Sequence, residues 1–146
     1  MNVNDIVRDA AETVGRIPRF SGVPVLEEDK GNIVAELGKK IAQQNACAVV
    51  GWNGFSPKIG GVNAPGETPF GTVTIVVQVF EKPAVNRRSE TNPRLLDLAQ
   101  DVAIELDGAA SEGMDDTLHL SRISPIVELD GGIISCDIEF TTSTNL

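Results

Sequence analysis

The segment Gly71-Thr-Val-Thr-Ile-Val-Val-Gln-Val-Phe-Glu81 constrains the fold of this chain more than any other. Val73, Ile75, Val77 and Val79 recur at every second position, with Thr72, Thr74, Val76, Gln78 and Phe80 between them. Side chains alternate between two faces only in an extended strand, so the segment reads as a strand with at least one deeply buried face. The end of the chain repeats the pattern. Ile134, Cys136, Ile138 and Phe140 form an inward set, while Ser135, Asp137, Glu139 and Thr141 face water or a partner. Before it, Thr117 to Asp130 reads as another strand, joined through Asp130-Gly131-Gly132, whose glycines supply the positive backbone angles of an antiparallel hairpin. Pro125 demands a bulge, a bend or an edge position there.

Elsewhere the apolar spacing is helical. Ile6, Val7, Ala10 and Val14 define a first helix that Asn2 or Asn4 can cap and Gly15 can end, followed by an irregular or extended connector from Arg16 to Pro24. A second helix is predicted from Asn32 to about Asn45, with Ile33, Val34, Leu37, Ile41 and Ala42 inward. Gly38 weakens it by about 1 kcal/mol relative to alanine. Thr91 or Asn92 with Pro93 marks a third start, and Leu95, Leu98, Ala99, Val102 and Leu106 then share one face up to Gly108. Ala46 to Trp52 is short, apolar and β-branched, which predicts a buried strand.

The order of elements predicts an α+β fold: a mostly antiparallel sheet of about four strands with helices packed on one face. A long loop, Asn53 to Phe70, rich in glycine and proline, separates the first two strands. At 146 residues the chain fits a single domain, 1–146, with an N-terminal helix and connector over 1–31 and the main α/β core over 32–142. The 41% apolar content fills one core without staples.

Charge narrows the function classes. The net charge is −9, with −1 on residues 1–73 and −8 on residues 74–146. That sign is wrong for holding nucleic acid by phosphate neutralisation, so sequence-specific binding to DNA or RNA is not expected. The two cysteines, Cys47 and Cys136, sit among apolar neighbours and read as reduced, buried thiols. No signal sequence is evident at the N-terminus, and the long uncharged run between Lys58 and Glu81 is broken by Glu67, glycines and prolines. No membrane span is expected.

The catalytic readings are thin. His119, the single histidine, reads as structural. Asp115, Asp116 and His119 lack the spacing of a metal site, and Asp137 with Glu139 forms a carboxylate pair only in the sense that strand neighbours do. Gly60, Gly61 and Gly66 precede a strand, whereas a phosphate cradle needs a following helix N-terminus. Neither an enzyme nor a cofactor is expected.

From about Asn32 to Thr142 the order of elements resembles the tail terminator and tail completion (neck) proteins of long-tailed bacteriophages. The likeness runs through a helix leading into Cys47-Ala48-Val49-Val50, a long loop, the strand Val73 to Phe80, the helix Leu95 to Leu106 and the closing hairpin. It covers about three quarters of the chain and is one of pattern, without a diagnostic short motif. The resemblance implies a virion protein, assembled in the host cytoplasm, that forms a hexameric ring at the tail–neck junction. Such a ring caps the tail tube, ends its polymerisation and joins the tail to the head connector. Its implied partners are other copies of itself, the tail tube protein and a neck or connector protein, with DNA passing through and no membrane involved. The alternative is a cytoplasmic ferredoxin-like module that dimerises and binds a small ligand; a small hydrolase using Asp137 and Glu139 comes third.

Two sets of residues are candidates for ring contacts. Asp97, Asp101 and Glu105 form an acidic stripe on one helix, where like charges four apart repel, and Arg87 and Arg88 in the preceding loop have the complementary sign. In the long loop, Phe55, Ile59, Val62 and Phe70 have little reason to stay in water, and some are expected to pack on a neighbour or to fold back on the sheet.

Overall fold

A computed structural model describes residues 2–28, 45–58, 69–111, 114 and 116–145. Helix α1 (Val3–Gly15) starts where Asn2 Oδ1 accepts a 3.0 Å hydrogen bond from the Asn4 amide, and it buries Ile6, Val7, Ala10, Ala11 and Val14. A 3-10 turn, Pro18–Phe20, brings Phe20 inward, and strand β1 (Val25–Glu27) follows. The long strands are β2 (Ala46–Pro57) and β3 (Phe70–Glu81). A single turn, α2 (Pro83–Asn86), and helix α3 (Leu95–Leu106) lead to β4 (His119–Ile123), β5 (Val127–Leu129) and β6 (Ile133–Asn145).

The six strands form one sheet in the order β1-β2-β3-β6-β4, with β5 also pairing β6. All pairs are antiparallel except β1 with β2. The fold is therefore α+β with a mostly antiparallel sheet, as the sequence predicts, but the count of about four strands was low. β1 is only three residues long, too short to show a period. Pro125 interrupts the ladder between Ile123 and Val127, so the stretch read as one strand makes two. The Asp130-Gly131-Gly132 turn closes the hairpin as expected, with both glycines in the left-handed region at φ 79° and 72°.

Alternation along β3 and β6 holds. Val73, Ile75, Val77 and Val79 are buried against Cys136, Ile138 and Phe140 and against the apolar faces of α1 and α3. The opposite sheet face carries a smaller cluster of Cys47, Val49 and Phe80, with Leu26 and Ile133 beside it. Both helices thus share one face of the sheet.

Two boundaries in particular differ from the prediction. β2 continues through Pro57 instead of ending at Trp52, because a bulge with Gly54 at φ 110° lets the ladder resume at Phe55 opposite Val73. The expected loop from Asn53 to Phe70 is shortened accordingly, and its remainder, residues 59–68, lies outside the described residues. Gly71 permits the resumed pairing, since a Cβ there would meet the Ser56 carbonyl oxygen at 2.1 Å. Helix α3 starts after Arg94, whose amide donates to Asp97 Oδ2 at 3.3 Å, while the Asn92 side chain donates to the Asn86 carbonyl at 2.9 Å instead of capping. The predicted Asn32–Asn45 helix falls on residues 29–44, outside the described residues, apart from Asn45.

Candidate assembly surfaces

The sheet has two lateral edges among the described residues, one with an exposed tryptophan and the other with several exposed apolar side chains. At the β1–β2 edge, Trp52 follows the buried run Ala46 to Val50 and is 51% exposed. It lines a cavity of about 230 Å³ with Asn4 and Val7 of α1, Gly51, and Glu28 just beyond β1. The Glu28 side chain lies over Gly51, where a Cβ would meet Oε2 at 1.8 Å. No ion pair holds the Glu28 carboxylate among the described residues.

The opposite edge is built from β4, β5 and α3. Leu120 and Ile123 project from β4, and Ile126, Val127 and Leu129 continue the exposed apolar surface past Pro125. On α3, Leu96 and Ile104 lie outside the buried Leu95, Leu98, Ala99, Val102 and Leu106 face and are exposed, Ile104 by 73%. Leu96 and Ile126 line one cavity of about 270 Å³ with Leu95, Ile134, Arg87, Arg94 and Asp97. Among the described residues Arg94 has no carboxylate within ion-pair distance. The backbone of β4 is partly covered. Leu120 N donates to Asp107 Oδ1 at 3.0 Å, and Leu118 exchanges backbone bonds with Gly108 and Ala109 at 2.7 and 2.8 Å.

The residues singled out from the sequence take varied positions. Asp97 and Asp101 do share a helix face, but Arg19 of the same chain reaches both, at 3.5 Å each, and relieves their repulsion internally. Glu105 is exposed at the end of that stripe. Arg87 points inward, its Nη2 3.6 Å from Oε1 of Glu81, which has 0% exposure. Asn86 donates to the other Glu81 oxygen and to the Pro93 carbonyl, so the loop is pinned from within. Arg88 is exposed. Phe55 packs half-buried on the main core, and Phe70 is exposed with the Lys58 ammonium 5.9 Å from its ring centre. Ile59 and Val62 lie outside the described residues.

The residues weighed for catalysis are held in ordinary contacts. His119 Nε2 lies 3.0 and 3.2 Å from the two Asp116 oxygens, and this hydrogen bond lowers the Asp116 carboxyl below its usual range. Asp115 is outside the described residues. Glu139 accepts from Asn53 Nδ2 at 3.1 Å, and the Asp137 amide donates to Ser124 Oγ at 2.8 Å. Among the described residues no three His, Cys, Asp or Glu side chains converge as metal ligands, and no helix is long and apolar enough to cross a membrane.

Sequence reasoning passed over Trp52, Leu96, Ile104 and the β4–β5 apolar residues. Leu96 and Ile104 were detectable, because they fall off the helix face that Leu95, Leu98 and Val102 define. Trp52 was hidden by its place at the end of an apolar run that reads as uniformly buried.

No protein-family model matches the chain, and no curated protein matches it. Among solved structures, a chain of "Virion of native gene transfer agent (GTA) particle" aligns with a TM-score of 0.47 and 13% identity, covering 94% of this chain and 84% of that chain.

Proposed function

We propose that this chain is a structural virion protein of the tail terminator type, a ring-forming subunit that caps a tail tube, ends its growth and joins it to the head connector. The observation that carries the reading is the placement of exposed apolar surface on both lateral edges of one sheet, at β1–β2 and at β4–β5 with α3. Two different patches on opposite sides of a subunit favour head-to-tail contacts, which close into a ring when the rotation per subunit allows it. A patch that paired with itself would give a two-fold dimer instead.

The electrostatics are compatible with such a ring. Six copies at −9 each carry about −54 before screening. DNA crossing a channel of that sign meets little that grips phosphate, so it can pass without adhering. The ring's partners are further copies of the chain, the tail tube protein below and a neck protein above, at the tail–neck junction of the virion.

Sedimentation of the purified chain, alone and with polymerising tail tube protein, tests the reading. The expected result is a closed oligomer near six copies, or a smaller species that forms one on tube ends and limits their length. A stable dimer indifferent to tubes would overturn it in favour of the dimeric ligand-binding module.

A further inference from the structure

Resting on the ring reading, we propose that the subunit contact is a knob and a hole: Trp52 of one copy enters the cavity between α3 and the β4–β5 bend of the next. There Arg94 meets both the indole and the Glu28 carboxylate beside it. The two edges complement each other in shape and charge. On the knob side, a half-exposed tryptophan stands next to a carboxylate that no cation holds among the described residues. On the hole side, a cavity of about 270 Å³ has apolar walls from Leu96, Ile126 and Ile134 and an arginine without an ion-pair partner. Tryptophan and arginine are the side chains that most often dominate contacts between proteins, and a guanidinium over an indole face adds a cation–π attraction that grows as water leaves.

The second guanidinium of the hole, Arg87, is turned toward buried Glu81. Arg94 is thus the cation left for the neighbour. The acidic stripe, once the natural counterpart for the loop arginines, is already served by Arg19 at Asp97 and Asp101. Glu28, on the opposite edge of the sheet, is a carboxylate without an ion-pair partner among the described residues. Because the two halves of the contact lie on opposite edges of the sheet, one pair of copies cannot make it twice, and it runs head-to-tail.

Trp52 is the one tryptophan in the chain, so its fluorescence reports the contact directly. As concentration is raised, emission should move to shorter wavelength and quenching by acrylamide should fall in step with the rise in mass. Trp52→Ala should weaken assembly by at least about tenfold, the range of an interface hot spot. Glu28→Arg and Arg94→Glu should each weaken self-association similarly. Mixed one to one, the two variants should assemble again as alternating rings, since each edge then faces an opposite charge. Unchanged urea midpoints confirm that the variants fold.

If the wild-type chain forms rings while Trp52 emission stays constant, or if the mixed variants fail to rescue, the proposed contact is wrong and the ring reading stands. If the chain forms no ring at any concentration or on tube ends, both fall. A shift in emission that needs the tail tube protein and accompanies no contact between copies assigns the knob to that partner and overturns the self-contact.

Discussion

A carboxylate with no access to water needs its charge met within the protein, and Glu81 shows how this chain does so. One oxygen accepts from Asn86, and the other faces Arg87 at 3.6 Å without a hydrogen bond among the described residues. Removing the guanidinium leaves a buried charge with half its support. Arg87→Ala is therefore expected to lower unfolding free energy by about 2–3 kcal/mol in urea titrations, whereas Glu81→Leu with Arg87→Leu should recover most of that loss. Cys47 obeys the opposite logic: burial pushes its thiol up to about 12 from 9.0. The folded state keeps the thiol neutral while the unfolded chain ionises, so this contribution to stability is intact below pH 9 and is lost as pH rises toward 12. Alkylation kinetics at pH 8 should show both cysteines protected until the chain unfolds, since Cys136 is raised by burial as well. At this scale the sequence was a good guide to which groups are buried and a poor guide to pairing. The sign match between Arg87 and the acidic stripe was legible, but Arg19 and Glu81, from a connector and a strand end, supply the partners, and no local pattern announces contacts that distant.

Helix α3 separates two kinds of apolar residue on one element. Leu98 is fully buried in the main core, so Leu98→Ala should cost about 2–5 kcal/mol. Ile104, 73% exposed, supports nothing inside the subunit, and Ile104→Lys should change stability by no more than about 0.5 kcal/mol. Thermal and urea unfolding of the two variants checks the contrast. The buried stripe of α3 and the two faces of β3 and β6 were readable because each obeys one period over ten or more residues. The misreadings occurred where an element depends on a partner outside it. β1 exists only through its parallel register with Ala48, Val49 and Val50, and β2 outlasts Trp52 because the Gly54 bulge lets Phe55 rejoin opposite Val73. The start of α3 moved because Asn92 bonds to Asn86, a tertiary claim on a residue that suits a cap.

At the level of the whole molecule, one sheet separates α1 and α3 from the face bearing Asp137 and Glu139, and its lateral edges among the described residues carry exposed apolar side chains. Among the described residues the order of strands and helices was legible from residue spacing, apart from β1 and the split at Pro125. The exposed edges were not, because edge exposure follows from strand order, and the placement of β6 between β3 and β4 is a tertiary choice that no local spacing encodes. Asp107 on the β4 edge has a consequence for how such a protein survives at high concentration. Its carboxylate accepts from the Leu120 amide, which would otherwise be free to donate to another chain's carbonyl, so this position of the edge is closed to ladder pairing. Backbone ladders, once begun, add strands without limit and rarely reverse. Asp107→Ala should therefore leave freshly purified protein folded yet shorten its life in concentrated solution, with dye-binding fibrils appearing under agitation where the parent stays clear.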